Sequence, residues 1–278
     1  MENIITARDI RAYCQWLNFL EKAKGTIAKY RRDMKEFAAY MGEKTVTEEA
    51  AAEWKTELNA KGCSPKTINA KLAAINGFFR FMGWGIKLKF LKIQKQLFRE
   101  EKRQMSREEY SRLLRQAEKS GQERLALLME TLGATGIRVG ELKYITAEGA
   151  RKGKITIALK GKIRTILLPE RLCRKLTDYA NRHGITGEIF VTASGKSLSR
   201  RQIWHEMKRL CRRAGIEESK VYPHSFRHLF ATVFYAACKD IVRLADVLGH
   251  SSVETTRIYI AISCEEHRRM IERLGLVI

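Results

Sequence analysis

Four short segments of this chain carry side chains suited to work on a phosphodiester. Thr135-Gly136-Ile137-Arg138-Val139-Gly140-Glu141-Leu142 holds Arg138, and Lys160-Gly161-Lys162 holds two lysines. Pro223-His224-Ser225-Phe226-Arg227-His228 supplies His224 and Arg227. Leu248-Gly249-His250-Ser251-Ser252 supplies His250, and Tyr259 follows nine residues later. Phosphoryl transfer builds negative charge on the non-bridging oxygens as phosphorus becomes five-coordinate, and positioned cations and donors stabilise it. Arg138 and Arg227 can each present a planar fork to a phosphate. His224 and His250 can donate hydrogen bonds or move protons. Tyr259 offers a hydroxyl nucleophile. A free phenol ionises near pH ~10, so cationic surroundings that favour the phenolate would help it at neutral pH. Glu141, three residues after Arg138, fits a supporting role, orienting that arginine or a histidine.

Each segment alone has an ordinary reading. An Arg-x-x-Glu pair is often a helical salt bridge, a lysine in a hairpin is usually solvated, and a tyrosine on an amphipathic helix is usually core. His228, one position beyond Arg227, reads as a packing or capping residue. No acidic array for two metals and no GxxxxGK[ST] loop accompanies the set. The chemistry these residues suggest therefore needs no metal, no ATP and no cofactor. A phosphotyrosyl bond would store the energy of the cut, and the freed hydroxyl could attack it in return.

Helical elements must position these groups. Over 7–82 the spacing predicts four amphipathic helices. Tyr13, Trp16, Leu17 and Leu20 mark one stripe, and Ile27, Tyr30, Met34, Phe37 and Tyr40 a second. Thr47 is a good N-cap for a third helix running to Ala60, with Gly62 beyond it. Ser64-Pro65 opens a fourth, with Ile68, Leu72, Ile75 and Phe79 as its stripe. From about Lys87 to Arg103 periodicity is lost among basic residues, which predicts an interdomain linker, placed at 96–105. Helices resume near Ser106 with a Ser-Arg-Glu-Glu cap. The β-branched alternation on both sides of Gly161 predicts a β-hairpin over 154–168. Pro169 starts another helical stretch, and 199–273 is almost wholly helical in pattern. The expected fold is mainly α with one small antiparallel β-sheet: a helical domain over 1–95 and a larger domain over 106–278.

The chain has 278 residues and 45% apolar content, enough for real cores. Its 53 Lys and Arg against 31 Asp and Glu give +22. Residues 1–95 hold 18 basic and 10 acidic residues and the remainder 35 and 21, so the two parts carry net +8 and +14. Charge of this sign in both parts is the footprint of a polyanion binder whose partner runs across both. Lys66, Lys71 and Arg80, read as exposed positions of the fourth helix, are the DNA-contact candidates, with Lys162 in the hairpin. The six cysteines are scattered without CxxC spacing, as expected of core thiols in a reducing compartment. MENIITARDI lacks the layout of a signal peptide, and no uncharged apolar run approaches the ~18 residues of a membrane span. The chain reads as cytoplasmic, with no membrane partner.

Taken together and in order, Arg…Lys…His-x-x-Arg…Gly-His…Tyr resembles the active-site signature of the tyrosine recombinase (integrase) family. The flanking TGIRVGEL, HSFRHLFAT and LGHSSVETTRIY extend the match, so the resemblance covers about 106–278. GTIAKYRRDMKEFAAYM and SPKTINAKLAAINGFFRFM are similar to that family's core-binding, SAM-like domain. The resemblance implies site-specific recombination through a 3′-phosphotyrosine at Tyr259 and a Holliday junction. It implies catalytic roles for Arg138, Lys160, His224, Arg227, His250 and Tyr259. Lys160 would be the general acid that protonates the departing 5′ oxygen, with Lys162 as the alternative. The implied partners are double-stranded DNA bearing an inverted-repeat core site, three further copies in a homotetramer and, in some systems, an accessory DNA-bending or directionality protein. The end of the chain, with Met270, Ile271, Leu274, Leu276 and Ile278, would dock on a neighbouring subunit. The absence of an arm-site domain ahead of the first helices suggests a compact, Xer-like or small mobile-element enzyme. Rival readings are a type IB topoisomerase or telomere resolvase, a non-enzymatic DNA-binding regulator, and a decayed, inactive integrase, though every expected catalytic position is filled.

Overall fold

In the computed structural model, the described residues are 3–93, 104–159, 162–250, 252–259, 268, 269 and 272–274. The chain divides into two compact units, Met1–Lys95 and Gln96–Ile278.

The first unit is helical: α1 (Ala7–Phe19), α2 (Lys24–Met41), α3 (Glu48–Ala60) and α4 (Pro65–Met82). Three of the four starts reflect local chemistry. Thr6 and Asp9 close a capping box on α1, and the Thr47 and Ser64 hydroxyls cap α3 and α4. The predicted stripes meet in one core of Tyr13, Leu17, Met34, Phe37, Trp54, Leu58, Ile68, Leu72, Ile75 and Phe79, but Leu20, expected in the first stripe, is exposed because α1 ends at Phe19. Tyr13 donates to the Ala74 carbonyl at 3.1 Å. Its hydroxyl lies so close to Gly77 that a Cβ there would stand 2.3 Å away, so α4 needs a glycine at that point.

The segment after α4 is more firmly held than its loss of periodicity suggested. Asn76 pairs with both backbone groups of Leu88 at 2.9 Å, and Asn69 does the same to Leu91 at 2.9 and 2.8 Å. These side-chain pairings replace the missing secondary structure and bury Leu88. Residues 94–103, most of the expected linker, lie outside the described residues, while Met105 is buried in the core of the second unit.

The second unit comprises α5 (Arg107–Lys119), α6 (Glu123–Thr135), a 3₁₀ segment (Val139–Tyr144), α7 (Ala147–Lys152), β1 (Lys154–Leu159), β2 (Lys162–Leu167), α8 (Glu170–Arg182), α9 (Arg200–Arg213), α10 (Pro223–Cys238) and α11 (Ile241–Leu248). Ser106 and Glu109 form the expected capping box on α5. The strands pair antiparallel, with Lys154 opposite Leu167 and Leu159 opposite Lys162. Along β2 the alternation points Ile166 inward and Ile163 and Leu167 outward. Helix α6 is buried on nearly every side, through Leu125, Leu127, Leu128, Met129 and Leu132. Its Thr131 and Thr135 hydroxyls are satisfied by carbonyls one turn back. Helix α10 packs against α6 and α11, which brings the ends of all three helices to one place. Among the described residues no helix is long and apolar enough to cross a membrane.

Candidate active site

That place holds five of the six side chains expected to react. Arg227 projects from α10 into the interior and is only 1% exposed. Its guanidinium donates to the Gly136 carbonyl just past α6 at 2.5 Å and to the Leu248 carbonyl ending α11 at 2.7 Å. A cation at two helix C-termini completes carbonyls that the helices leave unpaired, and it sits at the negative ends of both dipoles. Burial and then the neighbouring Arg138 pull its pKa down to about 10, against an attraction to Tyr259. Arg227 therefore remains a cation at neutral pH.

Arg138 stands at the start of the 3₁₀ segment, its side chain 46% exposed and available to a ligand. Glu141, 5% exposed, grips it twice: one carboxylate oxygen accepts from the Arg138 backbone N–H at 2.8 Å, the other from Nη1 at 3.1 Å. Of the two partners expected for Glu141, Arg138 or a histidine, the carboxylate bonds Arg138. Arg138 Nη2 also reaches the Gly249 carbonyl at 3.5 Å.

His250 follows the αL residue Gly249 that ends α11. Its Nε2 lies 2.8 Å from Arg227 Nη2 and its Nδ1 2.8 Å from the buried Thr256 hydroxyl. Burial, reinforced by Arg227, Arg138 and Arg164, holds its pKa down at about 4. His224 sits in the first turn of α10, and burial and then Arg227 lower its pKa too.

Tyr259 closes the set from the 3₁₀ turn Arg257–Tyr259. Its hydroxyl is 3.4 Å from His224 Nε2, and the ring is 2% exposed. The His250 ring stacks on it at 6.0 Å and 13°, and the His228 ring meets it edge-on at 5.1 Å. The apolar wall behind the ring is Ala231, Leu244 and Leu248. A phenol oxygen, two imidazoles and two guanidiniums from segments up to 121 positions apart thus converge on one site.

The phage integrase family matches residues 103–266, and the phage integrase N-terminal SAM-like domain matches residues 8–84. The chain belongs to the phage integrase family of tyrosine recombinases. It is 30% identical to tyrosine recombinase XerA of Pyrococcus furiosus, over 99% of this chain and 97% of that relative. It is 28% identical to tyrosine recombinase XerD of Staphylococcus haemolyticus, over 92% and 95%. Its fold is similar to a XerH site-specific recombinase bound to a palindromic difH substrate in a post-cleavage complex. There the TM-score is 0.76 at 19% identity, with 99% of both chains covered.

Other positions of this tyrosine recombinase fare unevenly. Lys160 lies outside the described residues, as does the side chain of Lys162, though Lys162 has its expected place in β2. Lys66 and Arg80 are exposed. Lys71 is not: its side chain is 12% exposed and bound to Glu36 on α2, because α2 and α4 pack directly against each other. Of the apolar residues near the chain end only Leu274 is described, 63% exposed. Cys14, Cys63, Cys173, Cys211 and Cys238 are free thiols.

Two residues at the site had no signal in the sequence. Thr256 fixes His250 from six positions away, inside the quoted LGHSSVETTRIY segment but without a periodicity to mark it. Arg164, on β2, binds Glu141 and the Val247 carbonyl. In the structure it shares the inward face of β2 with Ile166, and nothing in the sequence named its partners.

Proposed function

We propose that Tyr259 is the nucleophile of this recombinase. Its phenol oxygen attacks the scissile phosphorus and the bond to the 5′ oxygen breaks, leaving a 3′-phosphotyrosyl enzyme and a free 5′-hydroxyl. Arg138 and Arg227 hold the non-bridging oxygens, the partly exposed Arg138 by direct approach and the buried Arg227 from the floor of the site. His224 receives the phenol's proton, a role supported by the 3.4 Å between its Nε2 and the Tyr259 hydroxyl. Lys160 protonates the leaving 5′ oxygen, with Lys162 as the alternative donor. Attack by a 5′-hydroxyl from a second duplex reverses the step and joins the strands into a Holliday junction. The supporting observation is the approach of Tyr259, His224, His250, Arg138 and Arg227 from separate elements.

The DNA partner agrees with the +22 charge. The wider reading is a cytoplasmic homotetramer on two inverted-repeat core sites, with an accessory DNA-bending or directionality protein in some arrangements. Deleting residues 266–278 should then reduce recombination more than DNA binding; equal loss of both contradicts the tetramer reading.

The test of function is covalent capture. The protein is incubated in EDTA with genomic fragments, including those flanking its gene, then denatured, and protein-linked DNA is sequenced at the junction. Linkage at one short inverted repeat, lost in Tyr259→Phe, is the expected result. Scattered linkage would indicate a topoisomerase instead, and tight binding without linkage a regulator or a recombinase awaiting a partner.

A further inference from the structure

Arg164 belongs to none of the segments that carry the reacting groups, yet it lies at their junction. On β2 the inward positions are filled by Ile166 and, just past the strand, Leu168, while Arg164 shares their face with a side chain only 12% exposed. A guanidinium in such a place is costly unless bonded on several sides. Its Nη1 binds the Glu141 carboxylate at 3.1 and 3.4 Å, and its Nη2 donates to the Val247 carbonyl in the last turn of α11 at 2.8 Å. Glu141 is the residue that grips Arg138, and α11 is the helix that delivers His250.

The close fit has a second sign. A Cβ on Gly249 would lie 2.5 Å from Arg164 Cδ and 2.8 Å from its Nε. The chain leaves α11 at a glycine against which this side chain packs. Arg227, Arg164 and Arg138 thus bind three consecutive carbonyls, of Leu248, Val247 and Gly249.

We propose that Arg164 is a positioning residue for strand cleavage, tying Glu141, and through it Arg138, to the end of α11 that carries His250. A planar fork can bridge a carboxylate and a carbonyl at once, whereas a lysine ammonium is a single point of attachment. The side chain does not touch the phosphate; it fixes the spacing between one guanidinium that does and the histidine facing it. Misplacement of a reacting group by about 1 Å can cost on the order of 100-fold in rate. The proposal rests on the site reading given above.

The test is single-turnover cleavage of a core-site duplex at saturating protein, with DNA affinity measured in parallel. Wild type, Arg164→Met, Arg164→Lys, Glu141→Gln and the Arg164→Met/Glu141→Gln double variant are compared, with Tyr259→Phe as the blank. Arg164→Met should cleave on the order of 10- to 100-fold more slowly with affinity within about threefold, and Arg164→Lys should recover part of the rate. Because both residues act on Arg138, the double variant should be scarcely slower than the worse single variant. If Arg164→Met does not fold, a rate loss in Arg164→Lys at unchanged affinity decides in favour. Rates within about threefold of wild type, or losses in the double variant that multiply, overturn the proposal. If wild type forms no adduct that Tyr259→Phe abolishes, the site reading itself has failed, an outcome distinct from failure of Arg164 alone.

Discussion

Arg227 Nη2 and His250 Nε2 stand 2.8 Å apart, and this contact assigns the state of the histidine. A guanidinium has no acceptor, so it must donate and Nε2 must accept. His250 is therefore neutral with its proton on Nδ1, which donates to Thr256 Oγ1 at 2.8 Å. Burial, and then Arg227 at contact distance from any second proton, hold its pKa down at about 4. Thr256, 0% exposed, holds the ring so that it stacks on Tyr259.

Acid should destabilise the fold through this histidine. Its pKa is about 4 when folded and near the ordinary 6.5 when unfolded. Between those values the unfolded chain binds a proton that the native state does not. The contribution of the neutral form is complete above pH ~6.5 and lost as pH falls toward ~4. Urea unfolding at pH 7 and pH 5 should differ by on the order of 1–2 kcal/mol more in wild type than in His250→Asn. An equal difference in the two proteins refutes the assignment.

Gly249→Ala should cost more than backbone strain. Gly249 and Gly215 share φ +62°, but only Gly249 would press a Cβ against Arg164, for Gly215 has nothing within 4 Å. Both variants should lose ~1 kcal/mol from the left-handed conformation. Only Gly249→Ala should also slow cleavage, by on the order of 10-fold or more. Similar cleavage rates in the two variants would remove Arg164 from the explanation.

Arg227→Lys should damage stability and chemistry together. A lysine cannot serve the Gly136 and Leu248 carbonyls and His250 at once, and a buried acceptor left unpaired costs roughly 1–3 kcal/mol. The thermal midpoint should fall by about 3–10 °C, and cleavage by folded protein by on the order of 100-fold. A variant with wild-type stability and reduced cleavage would mean that those carbonyls find other donors.

DNA affinity should depend steeply on salt. Lys66→Ala and Arg80→Ala should each lower the slope of log affinity against log salt by about 1 if they meet phosphates. Lys71→Ala should change it less, because its ammonium is already engaged by Glu36. An equal drop at Lys71 would mean that DNA displaces the carboxylate.

Much of this was legible in the sequence. Helix boundaries were readable where a cap residue coincided with an apolar stripe, as at Thr47, Ser64-Pro65 and Ser106. The hairpin was readable because β-branched residues alternate on either side of a glycine. Five of the chemically suited side chains stood out because their segments and their order are distinctive. What escaped depends on three dimensions. Asn69 and Asn76 hold an extended segment by pairing with its backbone, which leaves no periodicity. Lys71 looked exposed on a helical wheel but faces α2. Arg164 was one basic residue among 53 until its partners, 23 and 83 positions away, were placed beside it.

The most direct measurement is the identity of the residue that carries the DNA. A core-site duplex with a nick just 3′ of the scissile phosphate would trap the adduct by letting the short 5′-hydroxyl fragment diffuse away. Protease and nuclease digestion followed by mass spectrometry would then locate the nucleotide. The account predicts a 3′-phosphate ester on Tyr259 and no adduct in Tyr259→Phe. An adduct on Tyr222 or Tyr235, or one that persists in Tyr259→Phe, would contradict it.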